Sequence, residues 1–211
     1  MIERRATSIE LANSRDIPQL ARLLAESLLE DPLQQWMFPD STRRMATSEW
    51  MFRRLLKQKI AQGMVRIIRD DAGQVASAAV WTQPHPPPPS HWEHYAESLF
   101  MRWIHGKRIH EIRDGFTALA ARHPRVPYWY LQALATASAQ RGQGHAGLLL
   151  EEKIGECNAS GTMIALETSN PTNLSYYQRF DFQIADELKL GNLFPVWLMC
   201  RNADTAKISG E

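Results

Sequence analysis

The chain has 211 residues, 44% of them hydrophobic and 22% charged, which is enough apolar material for one well-cored domain and too short for two comfortable ones. Its 24 basic and 23 acidic side chains leave a formal net charge of +1, without the basic patch or stripe of a nucleic-acid binder. Cys157 and Cys200 stand far apart with no Cys-x-x-Cys or His-bearing ligand spacing, so neither a disulfide framework nor a zinc site is signalled, and a reducing cytoplasm is the expected location. No window approaches the roughly 18 apolar residues of a membrane helix, and Met1-Ile2-Glu3-Arg4-Arg5 opens no apolar leader, so a soluble, unexported protein is expected.

Ser8 to Ala12 alternates as a short strand, and Asp16 is the expected cap of a helix with Ile17, Leu20, Leu23, Leu24 and Leu28 at helical spacing. Asp31-Pro32 is expected to end it. Thr42 to Gln62 repeats the helical pattern up to Gly63, so two helices are expected after the first strand. Met64 to Arg69 and Gln74 to Thr82 read as an antiparallel hairpin turned by Asp70-Asp71-Ala72-Gly73. Pro84 to Pro89 must be extended, because each proline fixes φ and disfavours helix at its predecessor. Ser90 to Arg122 is helical in two segments. Leu148 to Cys157 then predicts a helix, Met163 to Thr168 a strand, Asn173 to Phe180 a short helix, and Phe182 to Leu190 with Val196 to Arg201 a terminal strand pair.

The most telling stretch is the apolar run Trp129 to Thr136 followed by Arg141-Gly142-Gln143-Gly144-His145-Ala146-Gly147. It predicts a strand, a glycine-rich turn and a helix start. Glycines bend the turn and leave its amides uncovered, and the helix directs its positive end at the same place, which makes a cradle for pyrophosphate. The Gly-Lys-Ser/Thr of a nucleoside-triphosphate loop and the three glycines of a dinucleotide fingerprint are both missing.

The spelling Arg141-x-x-Gly144-x-Ala146 resembles the acetyl-coenzyme A signature of the Gcn5-related N-acetyltransferase superfamily. Leu166-Glu167-Thr168-Ser169, Asn173-Leu174 and Tyr176-Tyr177-Gln178-Arg179-Phe180-Asp181-Phe182 look in particular like the puromycin N-acetyltransferase branch. The resemblance is dense from about Pro127 to Arg201 and thinner before it, where Asp31-Pro32, Phe38-Pro39-Asp40 and Ala79-Val80-Trp81 fit without being specific. One departure is Asp181, where relatives have glycine; if that position is left-handed, Asp occupies it at modest cost.

The resemblance implies an α/β fold in one domain over 1–211: a mixed, mostly antiparallel twisted sheet of about seven strands flanked by helices. Its parts would be an N-terminal portion (8–84), a helical insert before the cofactor strand (90–122), and an acetyl-coenzyme A-binding C-terminal portion (127–202). It implies that Leu134 and Thr136 offer main-chain groups to the pantetheine arm. The pyrophosphate would meet Arg141, Gly142, Gln143, Gly144, His145 and Ala146, with Asn173 and Asn170 as further polar contacts. Acetyl transfer to an amine by direct attack needs positioning, a base, and a proton for the departing thiolate. Tyr177, protonated at neutral pH, is the expected proton donor. Glu167, the acidic side chain of the motif-bearing strand, is the candidate base, with a structural hydrogen-bonding role as the alternative; Gln132, on the preceding strand where relatives often place a Glu, cannot act as a base.

For the acceptor, part of the aromatic set Trp81, Trp92, Tyr95, Phe100 and Trp103 is expected to wall a pocket for a flat or apolar amine, while aromatic stripes at helical spacing also serve as core. His91 and His94 share a helical face but lack a third ligand at suitable spacing, so no metal is expected. The reading is an acetyl-coenzyme A-dependent enzyme for the primary amine of a small molecule, antibiotic-like or metabolite, as a monomer or homodimer. Two alternatives stay open: acetylation of a protein N-terminus or lysine, and a non-catalytic acyl-coenzyme A-binding domain.

Overall fold

The computed structural model describes residues 8–86, 99–190 and 193–204. Trp92, Tyr95, His91 and His94 lie outside these residues, as does most of the proline tract. Strand β1 (Ile9–Leu11) leads through a 3-10 turn into α1 (Ile17–Ser27), followed by α2 (Pro32–Met37), α3 (Ser41–Ala61) and the hairpin β2 (Val65–Arg69) and β3 (Val75–Thr82). The helical residues 99–105 (α4) and α5 (Ile109–Ala120) precede β4 (Tyr128–Thr136). Then come α6 (His145–Ser160), β5 (Met163–Thr168), α7 (Thr172–Gln178), β6 (Gln183–Leu190) and β7 (Phe194–Arg201). No helix among the described residues is long and apolar enough to cross a membrane.

The seven strands form one sheet in the order β1-β2-β3-β4-β5-β7-β6. Every neighbouring pair is antiparallel except β4 and β5, which run parallel, as the glycine-turn crossover between them requires. The mixed, mostly antiparallel sheet expected from the sequence is therefore present. One face carries α1 and α3, whose Leu20, Leu24, Phe52 and Leu56 pack on Val65, Ile67, Ala78 and Val80. On the same face Trp36 and Met37 of α2 meet Ile112 and Leu119 of α5 over Val196. The other face carries α6 and α7, with Leu149, Leu150 and Tyr177 on Ile164, Leu166 and Met199. Each fully buried Leu or Ile contributes about 1.5–3 kcal/mol.

Two expectations at helix ends are corrected. Asp16 makes no side-chain cap for α1; its carboxylate instead accepts from Asn13 N–H and from Arg69, closing the 3-10 turn that Asn13 caps. Asp31-Pro32 begins a helix as well as following one. The Asp31 carboxylate accepts from Leu33 N–H at 2.9 Å and Pro32 takes the first helical position, where its missing N–H costs nothing. Three helices, not two, therefore lie between β1 and β2.

Asp181 adopts φ +63°, the left-handed conformation expected where relatives have glycine. Its side chain is exposed, so contacts do not decide what it tolerates. Asp181→Val, β-branched, is expected to cost about 1–2 kcal/mol in a urea titration while Asp181→Gly costs nothing; equal midpoints for both variants would contradict this.

Candidate functional site

The site begins as a fork in the sheet. The β4–β5 ladder runs from Tyr128↔Met163 to Leu131↔Leu166 and stops there, although β4 continues to Thr136 and β5 to Thr168. On its other side β4 stays paired with β3 up to Thr136, with one irregularity: Val80 faces Ala133 and Trp81 faces Leu131, so Gln132 is an extra, bulged residue. The bulge reverses the alternation. Leu131 packs on the α6 side, whereas Ala133 and Ala135 pack towards α1 and α3.

The free main-chain groups of β4 follow from the register. Trp81 N–H donates to Met64 O on the β2 side, so strand alternation turns Ala78 and Val80 towards β4, where they face Ala135 and Ala133. Leu134 and Thr136 therefore direct their N–H and C=O to the open edge of the fork. The Thr136 side chain is occupied with Ser77 at 2.9 Å, so only its backbone is on offer there.

Beyond β4 the glycine turn enters α6, which begins at His145, three residues earlier than the sequence pattern indicates. Gly142 and Gly144 adopt φ +80° and +83°, and an added Cβ at either would meet nothing within 4 Å. The turn is thus open on its outer side as well as left-handed. No side chain caps the helix, so the first-turn amides of His145, Ala146 and Gly147 lack intrahelical partners. Gln143 Nε2 donates to Gln140 Oε1 at 2.8 Å and braces the turn from within, and Arg141 is exposed beside it. His145 is buried and its Nδ1 has no hydrogen-bond partner among the described residues.

A cavity of about 690 Å³ opens at the fork. Met37, Met51, Leu55, Phe100 and Phe116 give it apolar walls, and Gln132, Leu134, Glu167, Asn173 and Tyr177 line its sheet end. Tyr177 on α7 is 9% exposed and packs edge-on against Phe182 and Tyr176. Its hydroxyl makes no hydrogen bond among the described residues, and burial, followed by neighbouring Tyr176 and Asp31, pushes the phenol well above its usual value. It is therefore protonated throughout the neutral range and without a competing partner.

Glu167, the first residue of β5 past the last rung of the fork, is held on both oxygens. His123 Nε2 lies 2.7 Å from Oε1, and Tyr130 Oη donates to Oε2 at 3.1 Å. His123 Nδ1 in turn lies 2.7 Å from Tyr128 Oη. Burial first, then the Glu167 charge, raises both phenols, Tyr130 strongly. Opposite them, Lys59 is buried, and its ammonium donates to Thr82 Oγ1 at 2.7 Å. An ammonium can only donate, so Thr82 must pass its own proton to Gln132 Oε1, 3.3 Å away. The Gln132 amide is thereby oriented with its NH₂ end free. Burial holds the Lys59 ammonium below its ordinary pKa.

The remaining sequence-predicted residues divide. Asn173 Nδ2 donates to Thr168 Oγ1 at 3.2 Å at the cavity wall. Asn170 spends its side-chain oxygen on Thr172 N–H and Oγ1 at the start of α7. Trp81 is corrected: at 1% exposure it belongs to the core under α6, with Lys153 Nζ 5.7 Å from its ring. Trp103 is 78% exposed beside Trp50 and does not line the cavity, whereas Phe100 of the same aromatic set does, together with Phe116. Cys157 is an inert core thiol, pushed up to about 11 by burial.

Sequence reasoning missed His123, Tyr128, Tyr130 and Lys59. The i, i+2 spacing of Tyr128 and Tyr130 was a readable signal for two phenols on one strand face. His123 sits in a turn after α5 and had none. Ser169, the last residue of the Leu166 to Ser169 motif, donates its hydroxyl to Asp31 at 2.7 Å and tethers α2 to the end of β5.

No family model matches the chain. Solved structures do resemble it. An acetyltransferase described as histone acetyltransferase HPA2 and related, from Corynebacterium glutamicum, superposes with a TM-score of 0.72 at 22% identity, covering 95% of this chain and 98% of that one. Arylalkylamine N-acetyltransferase 2 from Aedes aegypti gives 0.67 at 10% identity, over 95% and 100% of the two chains. An agmatine N-acetyltransferase gives 0.67 at 16% identity, over 93% and 99%. The chain thus has the fold of the GNAT acetyltransferases over nearly its whole length.

Proposed function

We propose that this protein transfers the acetyl group of acetyl-coenzyme A to the primary amine of a small molecule. The observation that carries the reading is the continuity of the open β4 edge, with the Leu134 and Thr136 main-chain groups unpaired, into the uncapped glycine turn of α6. Those features fit a long ligand with amide groups at one end and pyrophosphate at the other. Leu134 and Thr136 would hold the pantetheine arm; the amides of Gly142 to Ala146 and the Arg141 guanidinium would hold the pyrophosphate; Asn173 would add a polar contact. The bound cofactor would supply an activated thioester carbonyl.

The chain's own residues then meet the remaining needs. Glu167 faces the cavity and has lone pairs left for the proton of an incoming amine, because each oxygen accepts only one of the bonds described above. Tyr177 holds a proton for the departing thiolate. The apolar cavity walls suit a small apolar amine and favour this reading over a protein acceptor. Membership of the puromycin N-acetyltransferase-like branch and a cytoplasmic setting remain part of the proposal, on the Leu166 to Ser169, Asn173-Leu174 and Tyr177 residues and the two unpaired cysteines.

The test is release of free thiol from acetyl-coenzyme A across a panel of primary amines with apolar bodies. Amine-dependent release is expected, with Glu167→Gln lowering kcat by about 10²-fold or more. Wild-type levels in Glu167→Gln would remove the base assignment, and no release with any amine would remove the enzymatic reading.

A further inference from the structure

We infer that His123 is a positioning residue that orients Glu167 for catalysis and couples the turn after α5 to the reacting end of the cavity. The inference rests on the reading of Glu167 as the base. It starts from the fork: past Leu131↔Leu166 no main-chain bond joins β4 to β5, and the end of β5 is held only on its other side, by β7, where Glu167 faces Leu198. Across the fork, two side chains make the tie to the Glu167 carboxylate. Tyr130, from the paired end of β4, reaches Oε2, and His123, from outside the sheet, reaches Oε1.

For the neutral His123 ring the directions of these bonds follow from the carboxylate. A carboxylate oxygen only accepts, so the ring proton of His123 must be on Nε2. Nδ1 of the neutral ring is then an acceptor, and Tyr128 Oη, whose phenol burial keeps protonated, donates to it. The Glu167 carboxylate thus selects the tautomer, Tyr128 occupies the bare nitrogen, and Glu167 receives a donor in one geometry. The side chains of His123 and Glu167 are 16% and 11% exposed, so water competes weakly for these bonds. The Tyr128–His123 bond spans only five residues of chain while the His123–Glu167 bond spans 44; it is the second that ties the insert's end to the site.

His123 touches the base and not the substrate, so its loss should appear in turnover rather than in binding. His123→Phe removes the donor and keeps an aromatic ring; His123→Gln restores an N–H. With the amine that the wild type acetylates, His123→Phe is expected to lower kcat 10- to 100-fold with KM and acetyl-coenzyme A affinity within about threefold, and His123→Gln to recover at least a third of the wild-type kcat. Combined with Glu167→Gln, His123→Phe should add almost nothing, because both act through one carboxylate.

A readout independent of activity is ¹⁵N NMR of the ring in the ligand-free protein: Nε2 protonated and Nδ1 bare in the wild type, with mixed tautomers in Glu167→Gln, whose amide can donate or accept. Three results would overturn the inference: unchanged kcat in His123→Phe, equal loss in the Phe and Gln variants, or a ring proton on Nδ1 in the wild type. If Glu167→Gln turns over normally while the ring has the stated tautomer, it is the base assignment that fails, and with it the catalytic meaning of the clamp.

Discussion

Tyr177→Phe is expected to lower kcat by about 10²- to 10³-fold while leaving the affinity for acetyl-coenzyme A within threefold, the range expected when a positioned general acid is removed. The substitution is unusually clean. The ring packs between Tyr176 and Phe182, and phenylalanine keeps those contacts. The hydroxyl has no hydrogen-bond partner among the described residues, so its removal orphans no other group. Because burial already raises this phenol, it remains a proton donor up to high pH and contributes no acid limb near neutrality. Steady-state kinetics beside an unfolding curve checks the point: stability should stay within about 1 kcal/mol, and unchanged turnover would take Tyr177 out of the mechanism.

Gly144→Glu should abolish acetyl-coenzyme A binding, a loss of at least about 100-fold, or roughly 2.7 kcal/mol. Two effects act together. At φ +83° any L side chain is strained by about 1–2 kcal/mol, and a carboxylate at this turn would compete for the first-turn amides of α6 while repelling phosphate oxygens. Gly144→Ala separates them. It introduces the strain without the charge, and the open space around the position means that no neighbour is displaced. Intermediate binding in Gly144→Ala with none in Gly144→Glu is the expected order; equal affinities for the two variants would mean that strain alone governs the turn.

Much of the fold was legible because its signals are local. The helical spacing in α1 and α3, the Asp70 to Gly73 hairpin and the strand–glycine–helix passage from β4 to α6 need no tertiary information. A left-handed Asp181 was suggested by the resemblance, in which glycine is usual at that position, and not by local pattern. What failed has physical causes. Asp31-Pro32 reads equally as a helix stop and a helix start; α1 has already ended at Ser27, and the Asp31 carboxylate and the Pro32 ring begin α2. Trp81 lies in a strand buried on both faces, where alternation cannot say which face meets a cavity. The extra residue at Gln132 has no signature, yet it decides that Ala133 and Ala135 face α1 and α3 and that Leu134 and Thr136 face the fork.

The candidate site was legible in its cofactor half and only partly in its acceptor half. A phosphate turn is made by consecutive backbone groups, so the spacing of Arg141, Gly144 and Ala146 suffices to find it. The acceptor end is assembled from α3, the turn after α5, β4 and β5, and no spacing rule links His123 to Glu167 or Lys59 to Gln132. Among the aromatic residues expected to wall the pocket, Trp103 faces outward, while Phe100 and Phe116 line the cavity from the same helical insert.

The most direct test of the central claim, that the β4 edge and the α6 turn together hold acetyl-coenzyme A, is a calorimetric titration of the purified protein with that ligand. Saturable one-to-one binding, lost in Gly144→Glu, is the predicted result. No heat of binding from a wild-type chain shown to be folded would contradict it, and would leave the fork and the glycine turn as inherited architecture without their ligand.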